Sequence, residues 1–119
     1  GYYYPVGGRV HMGESSVDAL LREVQEETGV AMEIDRLGFL HENFFFDEKR
    51  GANHHEIALY YYMRPLPGLS ARRLCGSSGD ALCWLPLDAL APERLYPTFF
   101  KTRLTEPSDR LEHIFTWEN

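Results

Sequence analysis

The clearest alternation of apolar and polar positions predicts an amphipathic helix over residues 15–28. Its apolar residues recur at steps of three and four, which places them on one helical stripe: Val17, Leu20, Leu21 and Val24. Ser15 and Asp18 resemble an N-terminal capping pair, and Gly29 stands where a left-handed C-terminal cap forms most easily. The pattern therefore predicts both the helix and its two ends.

Two runs of β-favouring residues follow this helix. Residues 31–47 read as extended chain, residues 47–53 as a turn, and residues 54–64 as a second strand rich in aromatic and aliphatic side chains. Because the connection is short, we expect the two strands to pair as an antiparallel hairpin.

The sequence of the C-terminal half indicates secondary structure less clearly. Its Pro, Gly and Ser content marks residues 65–80 as a loop, and the apolar residues 81–87 predict a short strand. A second helix is predicted from about Tyr96 or Pro97 to Leu104, with proline in its first turn, and residues 111–117 read as a final strand. Strands interleaved with two helices indicate an α/β fold with a mixed sheet.

Length and composition favour one folded domain. A chain of 119 residues is long enough for one hydrophobic core, so we interpret residues 1–119 as a single domain. The content of 44% hydrophobic and 25% charged residues is typical of a globular protein. The chain does not begin with methionine, and GYYYPV reads as the end of a strand. We therefore expect the domain to be incomplete at its N-terminus.

Charge and cysteine content narrow the classes of partner. The net charge of −6 argues against binding a nucleic-acid polymer through a basic face. No apolar run has the length of a membrane span and nothing resembles a signal peptide, so we expect a cytoplasmic protein with no membrane partner. Cys75 and Cys83 lack the spacing of a zinc site, and two reduced thiols are the simpler interpretation.

Three carboxylates occupy one side of the predicted helix. Glu23, Glu26 and Glu27 project within an arc of roughly 100° beside the apolar stripe. Exposed like-charged pairs on a helix cost only about 0.2–0.5 kcal/mol, because water screens them. On these residues alone, a solvated acidic surface is the simpler interpretation.

The segment before the helix changes this interpretation. Gly7 and Gly8 permit a tight loop that points carbonyl oxygens at a cation, and Glu14 adds a fourth carboxylate at the end of the loop. Hard oxygen ligands of this kind suit Mg²⁺ or Mn²⁺.

The loop and the helix together resemble a complete Nudix box. Residues 8–30 read GRVHMGESSVDALLREVQEETGV, and the family pattern is G-x5-E-x7-R-E-U-x-E-E-x-G-U, in which U is a bulky aliphatic residue. Every fixed position is filled: Gly8, Glu14, Arg22, Glu23, Val24, Glu26, Glu27, Gly29 and Val30. Upstream the family often shows Pro-Gly-Gly, whereas this chain has Pro5-Val6-Gly7-Gly8.

The resemblance implies a Nudix-type α/β/α sandwich and Mg²⁺- or Mn²⁺-dependent hydrolysis of a nucleoside diphosphate linked to another group. It assigns cation binding to the Gly8 carbonyl and to three side chains: Glu23, Glu26 and Glu27. Glu23 is also a candidate base, Arg22 orients a box carboxylate, and Glu14 holds the loop or binds metal through water. Bound cations would neutralise the diphosphate and help to deprotonate water.

Further acids outside the box are candidates for the metal site or the base. Asp80, shortly before the predicted strand at 81–87, is the first choice, with Glu56 and Glu42 behind it. For each of them an ordinary surface carboxylate is the alternative.

An aromatic run supplies candidates for binding a nucleobase. Alternate residues of a strand face opposite sides, so Phe44 and Phe46 could stack a base while Phe45 packs elsewhere, with core packing as the alternative. His54 and His55 are adjacent and point opposite ways, which argues against a shared metal. Three basic residues are candidate phosphate contacts or solvated charges: Arg9, Lys49 and Arg50. Trp84 and Trp117 read as core or sheet residues.

The substrate subtype is not marked. The region after the box, ENFFFDEKRG, has none of the family's markers for ADP-ribose, diadenosine polyphosphates or NADH, which leaves a (deoxy)nucleoside triphosphate, oxidised or not, as the default. A nucleotide-sensing domain without catalysis is the alternative. An isoprenoid diphosphate isomerase would need a catalytic cysteine and a further glutamate, neither of which can be assigned, and Cys75 and Cys83 lie in the wrong part of the chain. Dimers are common in the family, so a homodimer is one expectation.

Overall fold

The computed structural model describes residues 2–64, 66–67 and 82–118. These described residues contain two α-helices, one 3-10 helix and three strands. In chain order these are α1 (Ser16–Thr28), β1 (Ile34–Asp47), β2 (Ala52–Met63), the 3-10 helix (Leu87–Ala89), α2 (Phe100–Arg103) and β3 (Glu112–Glu118). None of the helices in the described ranges is both long and apolar enough to cross a bilayer.

The chain divides into two compact units. One comprises Gly1–Glu33 and Arg64–Pro107 and carries α1 and α2, and the other comprises Ile34–Met63 and Ser108–Asn119 and carries the sheet. The interpretation as a single domain stays a prediction.

The sheet is mixed and has β1 at its centre. β2 pairs with β1 in antiparallel register and β3 pairs with β1 in parallel register, so the strand order is β2-β1-β3. The side chain of Asp47 closes the hairpin by accepting hydrogen bonds from the backbone N–H groups of Lys49 and Arg50, at 3.0 and 3.2 Å. The predicted hairpin and the α/β class with a mixed sheet are confirmed.

Close packing against Tyr62 explains why β1 has a glycine at position 38. The ring of Tyr62 lies so close to Gly38 that a Cβ there would overlap it. The same ring lies 5.8 Å from the ring of Phe39, which is 2% exposed, and the Arg36 guanidinium lies 4.5 Å from the Tyr62 centroid. The register between β1 and β2 shifts at this point.

Helix α1 begins and ends as the pattern predicts. The Ser15 hydroxyl accepts a hydrogen bond from the backbone N–H of Asp18 at 3.0 Å, which satisfies one of the free donors at the helix start. Gly29 has a φ of 73°, and its N–H donates to the carbonyl of Gln25. Along the apolar stripe Val24 is buried, whereas Val17 near the start is 40% exposed.

Two predictions for the C-terminal half are wrong in part. Residues 82–86 form no strand, and the chain enters the 3-10 helix at Leu87 instead. An apolar run does not by itself distinguish a strand from a loop, because a strand needs a partner. Trp84 is 50% exposed here and is not a core residue.

The second helix is shorter than predicted and begins at Phe100. The N–H groups of Phe100, Lys101 and Thr102 donate to carbonyls three residues back, which is the pattern of a turn or 3-10 helix. Only Arg103 and Leu104 donate to carbonyls four residues back, so the α-helix is a single turn. The last strand is displaced by one residue from its predicted range.

Candidate functional site: a glycine loop and an acidic helix

Arg22 joins helix α1 to the loop in front of it. Its Nε donates to Oε2 of Glu14 at 2.8 Å and its Nη2 donates to Oε1 of the same carboxylate at 3.0 Å. Nη2 also donates to the carbonyl of Arg9 at 3.3 Å. Bidentate pairs between a guanidinium and a carboxylate combine strength with a defined geometry. Arg22 therefore anchors the loop to the helix.

Glu14 is the acidic centre of this anchor. Its Oε1 also accepts a hydrogen bond from the backbone N–H of His11 at 2.9 Å. The hydrogen bonds from Arg22 and, next, from the His11 backbone lower the pKa of Glu14 to about 2, and the hydrogen bonds to Glu14 and, next, to Glu23 raise the pKa of Arg22. Glu14 is therefore ionised throughout the neutral range. Of the two roles that the resemblance gives Glu14, this geometry supports holding the loop.

Arg22 also contacts two of the helix carboxylates. Its Nη1 donates to Oε1 of Glu23 at 2.9 Å and lies 3.5 Å from Oε2 of Glu26. The Glu23 side chain is 16% exposed and that of Glu26 is 50% exposed, so Glu26 faces solvent more openly. Glu27, on the same helix, is half-buried. One guanidinium thus brings together carboxylates from the loop and from the helix.

The backbone of the glycine loop approaches Glu23 directly. A Cβ placed on Gly8 would overlap the Glu23 carboxylate, whereas one placed on Gly7 would meet nothing within 4 Å. A side chain at position 8 would require the Glu23 carboxylate to move. The resemblance pairs these same two residues as cation ligands, and the structure brings them into contact.

The donor chemistry of these residues fits a hard cation. The groups available are a main-chain carbonyl and carboxylate oxygens, which Mg²⁺ and Mn²⁺ prefer. Across residues 2–64, 66–67 and 82–118, however, no three acidic, histidine or cysteine side chains come close enough together to hold a metal ion. Glu23 and Glu26 contact Arg22 instead. A cation bound here would share these two carboxylates with the guanidinium.

The acids proposed from outside the box lie in different surroundings. Asp80 and Cys75 fall outside the described residues, and Cys83 is an exposed free thiol. Glu56 is exposed on β2, where it pairs in register with Asn43.

Glu42 is the acid outside the box with the best-defined partners. Its Oε1 accepts a hydrogen bond from Nε2 of His55 at 2.8 Å and its Oε2 accepts one from Nε2 of His113 at 2.6 Å. These contacts, that of His113 first, hold the pKa of Glu42 below its ordinary value. Sequence reasoning missed His113, because a residue 71 positions away carries no local signal of this pairing.

A second set of hydrogen-bonded side chains, His41, Thr116 and Asn43, was also not anticipated from the sequence. The hydroxyl of Thr116 donates to Oδ1 of Asn43 at 2.7 Å, so the contact of 2.7 Å between Nε2 of His41 and this hydroxyl has the histidine as donor. His41 is 5% exposed, and burial lowers its pKa. A neutral His41 therefore links β1 to β3.

The aromatic run lies on both faces of the sheet. The ring of Phe44 stacks against His55 at 4.2 Å on one side and against Trp117 at 5.4 Å on the other. Phe45 stacks against His54 at 5.5 Å, so the two adjacent histidines contact different phenylalanines. A base stacked directly on Phe44 would have to displace one of these rings. Phe46 is 49% exposed, and Trp117 is a sheet residue that is 71% exposed.

The three candidate phosphate contacts are exposed. Arg9 lies in the glycine loop, and Lys49 and Arg50 lie in the hairpin turn between β1 and β2. Nε of Arg50 is 3.8 Å from Oδ2 of Asp47, and the Arg50 side chain is 68% exposed.

A protein-family model matches most of the chain. A family model described as NUDIX domain covers residues 1–103, a span that includes the glycine loop, α1 and the β1–β2 hairpin. No curated protein matches the sequence significantly.

Proposed function

Because the chain belongs to the Nudix hydrolase family, we propose that it is a Mg²⁺- or Mn²⁺-dependent pyrophosphohydrolase that cleaves the diphosphate linkage of a nucleoside diphosphate derivative. Family membership supports hydrolysis of pyrophosphate bonds in general. The observation that carries the finer proposal is the contact between Gly8 and the Glu23 carboxylate beside Arg22 and Glu26.

Each box residue has a role in this proposal. The Gly8 carbonyl and the carboxylates of Glu23, Glu26 and Glu27 hold the cation, with Asp80 as a further ligand. When bound, a divalent cation neutralises the diphosphate, polarises the phosphorus and lowers the pKa of bound water. Glu23 is placed by Gly8 and Arg22, and it is the candidate base toward the attacking water.

Arg22 keeps the carboxylates in position before the cation arrives. Like charges on one helix face repel, and a shared guanidinium offsets this repulsion while it holds Glu23 and the loop residue Glu14 in one arrangement. A site arranged in this way loses less conformational entropy when the cation binds, because its side chains are already ordered. Arg22 thus acts as a positioning residue.

The proposed partner is a small-molecule nucleotide, and a (deoxy)nucleoside triphosphate, oxidised or not, is the default substrate. The candidate contacts remain four side chains: Arg9, Phe44, Phe46 and Arg50. All four belong to described segments, and Phe46 and the two arginines are exposed.

A substrate screen tests the proposal. Purified protein is incubated with Mg²⁺ or Mn²⁺ and with nucleoside triphosphates, ADP-ribose, dinucleotides or nucleotide sugars, and released phosphate and nucleotide are measured. We expect turnover that requires the cation and falls by two or more orders of magnitude in Glu26→Gln. Glu106→Gln, an exposed acid far along the chain from the box, is the matched control and should retain the parent rate.

The outcomes separate hydrolysis from the alternative of a sensing domain. Binding of a nucleotide without turnover in any cation would favour a sensing domain and overturn the hydrolase proposal. Equal rates for the parent and Glu26→Gln would remove Glu26 from the metal ligands. Loss of activity in Glu106→Gln as well would mean that the effect is not specific to the box.

A further inference from the structure

One face of the sheet carries a single carboxylate, that of Glu42. Residues that pair in register share a face, as the stacked rings of Phe44 and Trp117 do. We call this side of the sheet the apolar face, and it comprises the even-numbered residues from Leu40 to Phe46, the odd-numbered residues from Asn53 to Leu59 and the odd-numbered residues from His113 to Trp117. None of these residues is Lys or Arg.

The acids of β2 and β3 lie on the opposite face. Glu56, Glu112 and Glu118 pair in register with odd-numbered residues of β1, so their carboxylates point away from the apolar face. β2 and β3 contain no other acid, and neither strand contains Lys or Arg. The carboxylates of the two edge strands are thus confined to one side of the sheet.

Large side chains from all three strands are exposed on the apolar face. The exposed fractions are 71% for Trp117, 61% for Ile57, 49% for Phe46, 47% for Phe115 and 40% for Leu59. With about 200 Å² for each whole side chain, these fractions leave roughly 500 Å² of apolar surface open on one chain. Apolar patches of this size are often interaction surfaces, and sheets with parallel strand pairs are commonly covered on both faces.

Glu42 does not prevent this face from being covered. Its side chain is 19% exposed, and its two oxygens accept hydrogen bonds from His55 at 2.8 Å and from His113 at 2.6 Å. Both histidines belong to the apolar face. A carboxylate whose oxygens are both hydrogen-bonded costs less to remove from water than one without partners. The face can therefore be buried with its one acid in place.

We propose that the apolar face packs against the same face of a second copy of this chain, which gives a symmetric dimer of two stacked sheets. The two faces together bury roughly 1,000 Å², which is the lower limit for a specific interface, so the dimer is weak. Aromatic side chains, with no Lys and no unpaired acid among them, are the composition expected at the centre of an interface.

The distribution of charge favours a second copy over a charged partner. The net charge of −6 makes two chains repel each other, and the repulsion is smallest when the acids of β2 and β3 face outward. Stacking through the apolar face produces this arrangement. A basic partner would find no free carboxylate on this face, because Glu42 already accepts hydrogen bonds from both histidines.

The oligomeric state of the full chain tests this inference, which goes beyond the proposed function. Phe46 is also a candidate substrate contact, so all measurements are made without nucleotide and without cation. Sedimentation velocity over a dilution series should show a monomer–dimer equilibrium with a micromolar dissociation constant. In Trp84→Phe the single tryptophan is Trp117. Its emission should shift to shorter wavelength as the dimer forms, because the dimer removes its ring from water.

Two substitutions place a charge at opposite edges of the apolar face. Trp117→Lys on β3 and Ile57→Lys on β2 alter side chains that are exposed in one chain and covered in the dimer. Each should raise the dissociation constant roughly 30-fold, the effect of losing a strong interface contact. Glu118→Gln is the matched control, because it makes the same change in net charge at the neighbouring position on the opposite face. It should dimerise at least as tightly as the parent.

Any other pattern overturns the inference. A monomer at every concentration would mean that no second copy covers the face and would leave a different protein as its partner. A dimer without the Trp117 emission shift, or one that both lysine variants retain, would form through another surface. Equal weakening in Glu118→Gln would indicate an effect of charge that is not specific to the face.

Circular dichroism of each variant checks that the sheet is intact. If one lysine variant does not fold, the other variant and the emission of Trp117 in Trp84→Phe still decide the question. Because nucleotide and cation are absent, failure of the hydrolase proposal would leave this result unchanged, and a monomer here would leave the box chemistry unchanged.

Discussion

Arg22 and Glu14 face each other in a bidentate pair, with Nε to Oε2 at 2.8 Å and Nη2 to Oε1 at 3.0 Å. Glu14 ends the glycine loop and Arg22 lies in helix α1, so this pair holds the end of the loop against the helix. The same guanidinium reaches Glu23 at 2.9 Å. Arg22 therefore links the loop carboxylate of Glu14 to the helix carboxylate of Glu23.

The pH dependence of stability should report the Glu14 contact. The pKa of Glu14 is lowered from 4.5 to about 2 in the folded protein, chiefly by Arg22. A group with a depressed pKa stabilises the fold fully above its unfolded value and loses this contribution as the pH falls toward the folded value. We expect the parent to exceed Glu14→Gln in its urea unfolding midpoint above pH 4.5, with the difference shrinking between pH 4.5 and pH 2.

Glutamine is the appropriate comparison because it keeps the shape of the side chain and does not titrate. A difference that grows on acidification would contradict the assignment of the pair.

Substitution of Gly8 should damage the site more than the fold. In Gly8→Ala the new methyl group overlaps the Glu23 carboxylate, which is the mobile end of its side chain and can move away. We expect turnover to fall roughly 100-fold, because a displacement of about 1 Å of a catalytic group has effects of this size. Thermal unfolding should show only a small loss of stability.

Gly7→Ala provides the adjacent comparison, since nothing lies within 4 Å of a Cβ at that position. Its unfolding temperature should match that of the parent. Equal losses of activity in the two variants would show that the loop needs two glycines for a reason other than Glu23.

The N-terminal cap of α1 should contribute measurably to stability. The Ser15 hydroxyl accepts the N–H of Asp18 at 3.0 Å, and Ser15→Ala removes this acceptor. Loss of such a cap costs about 1 kcal/mol of the free energy of unfolding, which urea titration can measure. Ser15→Asp retains an acceptor and should restore most of the loss. If alanine and aspartate behave alike, the cap contributes little.

The carboxylate of Glu42 should contribute to the stability of the sheet. It accepts hydrogen bonds from His55 on β2 and His113 on β3, so it ties the central strand to both neighbours. In Glu42→Gln only one oxygen remains as acceptor, and one histidine loses its partner. We expect a lower thermal unfolding midpoint, and imidazole NMR signals of His55 and His113 that shift together.

Glu48→Gln, an exposed acid in the hairpin turn, is the control and should unfold at the parent temperature. Because the Glu42 pKa is depressed, the advantage of the parent over Glu42→Gln should decline as the pH falls below 4.5. An advantage that is constant down to acid pH would mean that the histidine contacts do not stabilise the fold.

The sequence by itself determined the parts of this protein that rest on neighbouring residues. Helix α1 follows from its apolar period and its caps at Ser15 and Gly29, and the β1–β2 hairpin follows from two β-favouring runs around a turn. The spacing of Glu23, Glu26 and Glu27 likewise places them on one helix. These features depend on contacts within a few turns or across a tight connection, which local patterns encode directly.

Only the tertiary structure decided which distant segments meet. β3 pairs with β1 in parallel across more than sixty intervening positions, and this register brings His113 to Glu42 and Trp117 to Phe44. It also decided that the apolar residues at 82–86 form no strand. The physical reason is that a strand is stabilised by its partner, and the partner and register across a long connection are selected by packing of the whole sheet, which no local pattern contains.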